Sequence, residues 1–126
     1  MSMTEHHLRI IVADDDADVR DATIALLATR PEFDVIGSVS NGGDALTIAR
    51  DNPPDVALVD VRMPGGGEEL VADLRALNAH TAVVAFTAYD DPIVRQRILD
   101  AGASAFAVKG STPNLVAVLH AACDEL

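Results

Sequence analysis

Leu8-Arg9-Ile10-Ile11-Val12-Ala13-Asp14-Asp15 is an apolar run that stops on two carboxylates. Such runs recur along the chain: Val56–Val59 stops at Asp60, Ala82–Phe86 at Thr87, and Ala105–Val108 at Lys109, with a further run at Val35–Val39. Amphipathic stretches separate them, at Val19–Thr29, Asp44–Arg50, Glu68–Leu77, Ile93–Ala101 and Pro113–Leu126. Alternating strand-like and helix-like patterns predict five β-α pairs. Strands joined through helices require right-handed crossovers and a parallel sheet, with the first strand central if helices are to cover both faces. All strands then point one way, so the polar residues that end them gather along the carboxyl edge, where open α/β sheets place ligands.

Punctuation supports the helix ends. Pro31 follows the first helix and Pro53–Pro54 closes the second, while Pro92 and Pro113 stand at first helical positions behind Asp91 and Thr112 as caps. Met1–His7 reads as a disordered lead-in and 8–126 as one domain, with no linker, repeat or low-complexity tract.

Composition excludes several classes. The chain has 126 residues, enough for one core, and is 49% hydrophobic but only 3% aromatic. That core must be built from Ala, Val, Leu and Ile, as in strands covered on both faces. A net charge of −11 opposes direct nucleic-acid binding, which relies on Lys and Arg neutralising phosphates. A single cysteine, Cys123, excludes an internal disulfide, and no leader or membrane-length apolar run is present, so the expected location is the cytoplasm.

Asp14, Asp15, Asp60, Thr87 and Lys109 form the candidate site. Three carboxylates suit a divalent cation, and a hydroxyl with an ammonium suits phosphoryl oxygens. Asp60 is the candidate nucleophile for an aspartyl phosphate. Its alternative role, capping the next helix, is opposed by a helix that starts only near Glu68. Side chains alternate along a strand, so one of Asp14 and Asp15 is expected to bind the cation directly and the other through water or by orienting its neighbour. Asp16 and Asp18 fit the start of a helix, where the dipole favours negative charge. Lys109, the only lysine beside eight arginines, ends a buried strand and needs an anionic partner. Thr87 taken alone is equally an ordinary strand threonine.

These segments together resemble the receiver domain of bacterial two-component response regulators. The likeness spans nearly all of 8–126 and rests on four motifs in order: Val12-Ala13-Asp14-Asp15, Asp60-Val61-Arg62-Met63-Pro64, Phe86-Thr87-Ala88 and Gly102-Ala103-Ser104-Ala105-Phe106-Ala107-Val108-Lys109. It implies a flavodoxin-like, doubly wound α/β sheet of order 2-1-3-4-5. It further implies that Asp60 accepts a phosphoryl group from a sensor histidine kinase. Mg²⁺ would be held by Asp15, Asp60 and the Arg62 backbone carbonyl, with Asp14 acting indirectly, and Lys109 would pair with the phosphoryl oxygens. Thr87 and Phe106 would be the switch residues, though Phe106 is otherwise read as a plain core aromatic. Arg62 and Tyr89 match positions that tune the lifetime of the phosphoryl group.

The resemblance also implies partners. The surface of the fourth helix, fifth strand and fifth helix would change on phosphorylation and act on an output domain or partner protein, including a phosphorylation-dependent homodimer, most often to regulate transcription. Enzymatic turnover would be limited to slow loss of the domain's own phosphoryl group. Gly110 stands where many relatives carry a cis proline, so a trans and more mobile loop is expected, as in the branch with helix-turn-helix outputs. The loop after Asp60 looks about one residue shorter than usual, with three glycines. With nothing following Leu126, the chain is expected to be a stand-alone receiver or a piece of a longer regulator. Two other classes remain: a phosphorylation-independent interaction module, and a Mg²⁺-dependent phosphatase of the haloacid dehalogenase type. The latter wants a second carboxylate two residues after Asp60, where Arg62 stands.

Overall fold

The computed structural model describes residues 7–88, 90–110 and 115–124. Five strands, β1 (Leu8–Ala13), β2 (Phe33–Val39), β3 (Val56–Asp60), β4 (Ala82–Thr87) and β5 (Ala105–Val108), alternate with five helices. The helices are α1 (Ala17–Ala28), α2 (Gly42–Asp51), α3 (Glu68–Leu77), α4 (Pro92–Asp100) and α5 (Leu115–Asp124). All four pairings are parallel, in the order β2-β1-β3-β4-β5, so β1 is interior as its apolar sequence requires. The fold is flavodoxin-like, with the expected strand order.

Strand alternation sorts the core into two halves. Ile11, Ala13, Ala57, Val59, Val83 and Ala85 pack with Ala45 and Ala49 of α2, Leu70, Val71 and Leu74 of α3 and Ile98 of α4. Their sequence neighbours Ile10, Val12, Val56, Leu58, Ala82 and Val84 face the other way, onto Leu27 of α1 and Leu115, Leu119 and Ala122 of α5. β3 is buried along its whole length and therefore carries its last residue, Asp60, out of the driest part of the sheet.

Local chemistry sets the helix starts. The Asp16 side chain accepts from the backbone N–H groups of Asp18 and Val19, and Asp91 accepts from those of Ile93 and Val94, with Pro92 at the first helical position. Asn41 caps α2 by accepting from the Asp44 N–H, so that helix begins two residues before the expected Asp44. α3 has no side-chain cap and starts behind Gly67, whose φ of 91° belongs to the left-handed region. The expected Thr112–Pro113 cap lies outside the described residues, as does the lead-in apart from His7. No peptide bond among the described residues is cis, and Gly110 has a φ of 76°. No described helix is long and apolar enough to cross a membrane.

Candidate phosphoryl-acceptor site

Asp60 ends β3 opposite Phe86 of β4, and Thr87 lies one residue further along β4, opposite Val108 of β5. The register therefore brings Thr87, and Lys109 in the turn just after β5, to the sheet edge where Asp60 ends β3. Asp14 follows the last residue of β1, whose Ala13 pairs with Val59. Asp60 is 5% exposed, Asp14 2% and Thr87 1%, so three polar residues are withdrawn from water at one sheet edge.

The charges there are partly balanced. Lys109 Nζ lies 2.7 Å from Asp14 Oδ2 and 3.2 Å from Asp60 Oδ2. The contact to Asp60 is a hydrogen bond donated by the ammonium. The contact to Asp14 is the closer of the two, an ion pair between the ammonium and a carboxylate that is itself buried. Burial lowers the pKa of Lys109, but Asp14 and Asp60 outweigh it and hold the ammonium above the ordinary lysine value. Lys109 Nζ also lies 5.6 Å from the centroid of the Phe86 ring.

Backbone groups fix the carboxylates. Asp60 Oδ1 accepts from the Arg62 N–H at 3.0 Å, and Asp14 Oδ1 from the Asp16 N–H at 2.9 Å. The Arg20 guanidinium donates to the Asp14 carbonyl at 2.6 Å. Asp15 is exposed, yet one carboxylate oxygen from each of Asp14, Asp15 and Asp60 lies within 4.8 Å of the others. Both consecutive aspartates thus reach the cluster despite strand alternation, because β1 ends at Ala13 and the chain turns there. Three negative charges face one ammonium, an excess that a hard divalent cation on oxygen ligands would neutralise.

Phe106 is half-buried and packs against the core half beneath α4. Arg95 of α4 covers it, with the guanidinium carbon 5.3 Å from the ring centroid, and the same guanidinium pairs with Asp90 in the β4–α4 loop. Arg62 is exposed at the start of the loop after β3. Tyr89 lies outside the described residues. The sequence pattern singles out neither Arg20 nor Arg95, and it marks Phe86 only as a strand and motif residue, not as a neighbour of the Lys109 ammonium. Of the two arginines, only Arg20 carried a signal, a basic residue one turn into a helix that opens beside two aspartates.

The response regulator receiver domain family matches residues 10–120, and the chain belongs to it. Over 106 residues it is 34% identical to a probable transcriptional regulatory protein NarL of Mycobacterium tuberculosis, covering 83% of this chain and 49% of that protein. Over 105 residues it is 36% identical to the response regulator GacA of Pseudomonas viridiflava, covering 82% and 49%. The chain spans about half the length of these curated relatives. Its structure is similar to that of the signal receiver domain of the M. tuberculosis NarL protein, with a TM-score of 0.85 at 33% identity, covering 93% of this chain and 97% of that one. It is likewise similar to a LuxR-family two-component response regulator from Aurantimonas sp. SI85-9A1, with a TM-score of 0.88 at 28% identity, covering 94% and 86%. The chain is a receiver domain of the two-component response regulators, a regulatory class, of the kind found in NarL- and GacA-type proteins.

Proposed function

We propose that Asp60 is the phosphoacceptor of this receiver, taking a phosphoryl group from the phosphohistidine of a sensor kinase. The observation that supports this most is a buried carboxylate at a strand end, held at Oδ1 by the Arg62 N–H and facing an ammonium 3.2 Å from Oδ2. In the transfer an Asp60 oxygen forms a bond to phosphorus as the phosphorus–nitrogen bond to the kinase imidazole breaks. The electron pair leaves with the imidazole, which takes up a proton. Such reactions run on positioning and charge neutralisation, which the Lys109 ammonium would contribute at the phosphoryl oxygens.

The donor set suits Mg²⁺: three carboxylates bring one oxygen each within 4.8 Å of the others, two of them buried and one exposed and open to solvent. Asp15, Asp60 and the Arg62 carbonyl would hold the ion, with Asp14 acting indirectly. When bound, Mg²⁺ supplies charge that balances the phosphoryl oxygens. Water reaching the aspartyl phosphate would return the domain slowly to its starting state, at a rate that Arg62, exposed beside the site, would influence.

Thr87, one residue beyond the Asp60 register position, would donate its hydroxyl to the new phosphoryl group, and the Phe106 ring would move inward. The surface of α4, β5 and α5 would change with it and act on an output domain or partner, including a second copy of the chain. Relatives named as transcriptional regulators support transcription as the output this receiver controls.

The test is intact-mass analysis after acetyl phosphate treatment with and without Mg²⁺. The expected result is one Mg²⁺-dependent, alkali-labile phosphoryl adduct, absent from Asp60→Asn. An adduct of equal yield on a folded Asp60→Asn would refute the assignment.

A further inference from the structure

The loop that follows Asp60 does not stand free; it rests on the start of α2. The Gly42 N–H donates to the Pro64 carbonyl at 2.9 Å. Gly42 is buried, and a β-carbon placed on it would lie 1.9 Å from the Gly65 carbonyl oxygen and 2.6 Å from the Gly65 carbonyl carbon. Both partners are backbone, so neither can swing aside as a side-chain tip would. From the opposite direction, a β-carbon on Gly65 would lie 3.2 Å from the Gly42 nitrogen, at a φ of 72°. The neighbouring Gly43 has no such restriction: its β-carbon would meet only Asn41 Oδ1, at 3.4 Å.

The same loop is tied to the site at its other end. Arg62 donates its N–H to Asp60 Oδ1, Gly66 donates to the Met63 carbonyl at 2.9 Å, and a β-carbon on Gly66 would lie 2.7 Å from the Asp60 carbonyl oxygen. Val61–Gly67 is therefore a short segment fixed at Asp60 on one side and at α2 on the other. A shift of the Pro64–Gly65 peptide has few places to go except back toward Arg62. The contact also serves α2, because the Pro64 carbonyl occupies one of the N–H groups that a helix leaves unpaired in its first turn, where the dipole favours an oxygen.

From this geometry we infer that Gly42 is a positioning residue for the phosphoryl-acceptor site: the absence of a side chain there sets where the loop places the Arg62 N–H and carbonyl beside Asp60. The inference rests on the reading of Asp60 as phosphoacceptor and extends it to α2, an element that contributes no side chain to the cluster. Gly42→Ala must displace the Gly65 carbonyl by about 1 Å or more to reach ordinary contact, whereas Gly43→Ala, one residue along the same helix, displaces nothing.

The experiment compares wild type, Gly42→Ala and Gly43→Ala. Amide NMR spectra of the metal-free proteins, Mg²⁺ affinity by titration of those amides, and the acetyl phosphate labelling rate are measured on each. Gly42→Ala is expected to move the amides of Val61–Gly66, weaken Mg²⁺ binding about tenfold or more and slow labelling by a similar factor. Gly43→Ala is expected to match wild type in all three. A folded Gly42→Ala with wild-type loop amides and Mg²⁺ affinity would overturn the inference, as would equal losses in Gly43→Ala. Absence of labelling in wild type would instead strike the phosphoacceptor reading, while the loop amides and Mg²⁺ titration would still decide the role of Gly42. Should Gly42→Ala not fold, hydrogen exchange on wild type decides. Mg²⁺ with beryllofluoride should slow exchange of the Gly42 amide severalfold through a steadier Pro64 carbonyl, and an unchanged rate overturns the inference.

Discussion

Replacing Lys109 by methionine keeps most of the side-chain volume and removes the ammonium that lies 2.7 Å from Asp14 and 3.2 Å from Asp60. The two carboxylates would then face each other unshielded, with oxygens within 4.8 Å and exposures of 2% and 5%. At that separation two unit charges repel by about 3.5 kcal/mol for an effective dielectric of about 20. Breaking a buried ion pair by removing one partner costs about 3–5 kcal/mol, so the two routes agree on a loss of about 3 kcal/mol at neutral pH. Urea unfolding followed by circular dichroism measures it as a lower midpoint at unchanged slope. The pH dependence has a definite sign. Lys109 has a raised folded-state pKa, so its contribution is complete below the unfolded value of 10.5 and is lost as pH rises through the still higher folded value. Wild type and Lys109→Met should therefore converge in strongly alkaline solution. Added Mg²⁺ should restore more stability to the variant than to wild type, since the variant has the larger uncompensated charge. A loss below about 1 kcal/mol at pH 7 without Mg²⁺ would refute the view that Lys109 is the main counter-charge of the cluster.

Leu58, 1% exposed on the strand face toward α1 and α5, should cost about 3 kcal/mol when cut to alanine, read by the same unfolding assay, with acetyl phosphate labelling of the folded fraction retained. His120 Nε2 lies 2.9 Å from Glu32 Oε2, and this hydrogen bond, followed by smaller contributions from the Glu32 backbone and Arg30, holds the Glu32 carboxyl below its ordinary 4.5. His120→Ala should raise the Glu32 pKa in a carboxyl NMR titration. The stability that Glu32 contributes is present above 4.5 and lost as pH falls through the lower folded value, so the variant's deficit should shrink in acid. Thr87→Ala should still accept the phosphoryl group but lose the amide shift changes in α4 and β5 that beryllofluoride induces in wild type; retention of those changes would remove Thr87 from the switch.

The strands that carry the site were legible because a buried parallel strand is a run of Val, Leu, Ile and Ala that stops where water begins. β1, β3 and β4 coincide with the expected bounds for that reason. β2 starts at Phe33 and not Val35, because Pro31 and the charged Asp34 mask an edge strand whose exposed positions need not be apolar. α2 starts at Gly42 and not Asp44, since two glycines argue against a helix until the Asn41 cap and the loop packed on Gly42 are seen. Asp14, Asp15, Asp60, Thr87 and Lys109 were legible as a group because parallel strands bring their carboxyl ends together. Arg95 over Phe106 was not, because it depends on how α4 crosses β5, an angle set by packing between helix and sheet that no local pattern encodes. Phe86 beneath the Lys109 ammonium was hidden for a similar reason, its half-burial being decided across strands.

The division of the core by strand parity makes the sheet a partition. Among the described residues Ile11 and Val59 pack toward α2, α3 and α4, and Ile10 and Leu58 toward α1 and α5, so a substitution on one side is best compensated on that same side. The two faces can accordingly drift at different evolutionary tempos, one acquiring new associates while the other keeps its old ones, although both hang from the same five strands.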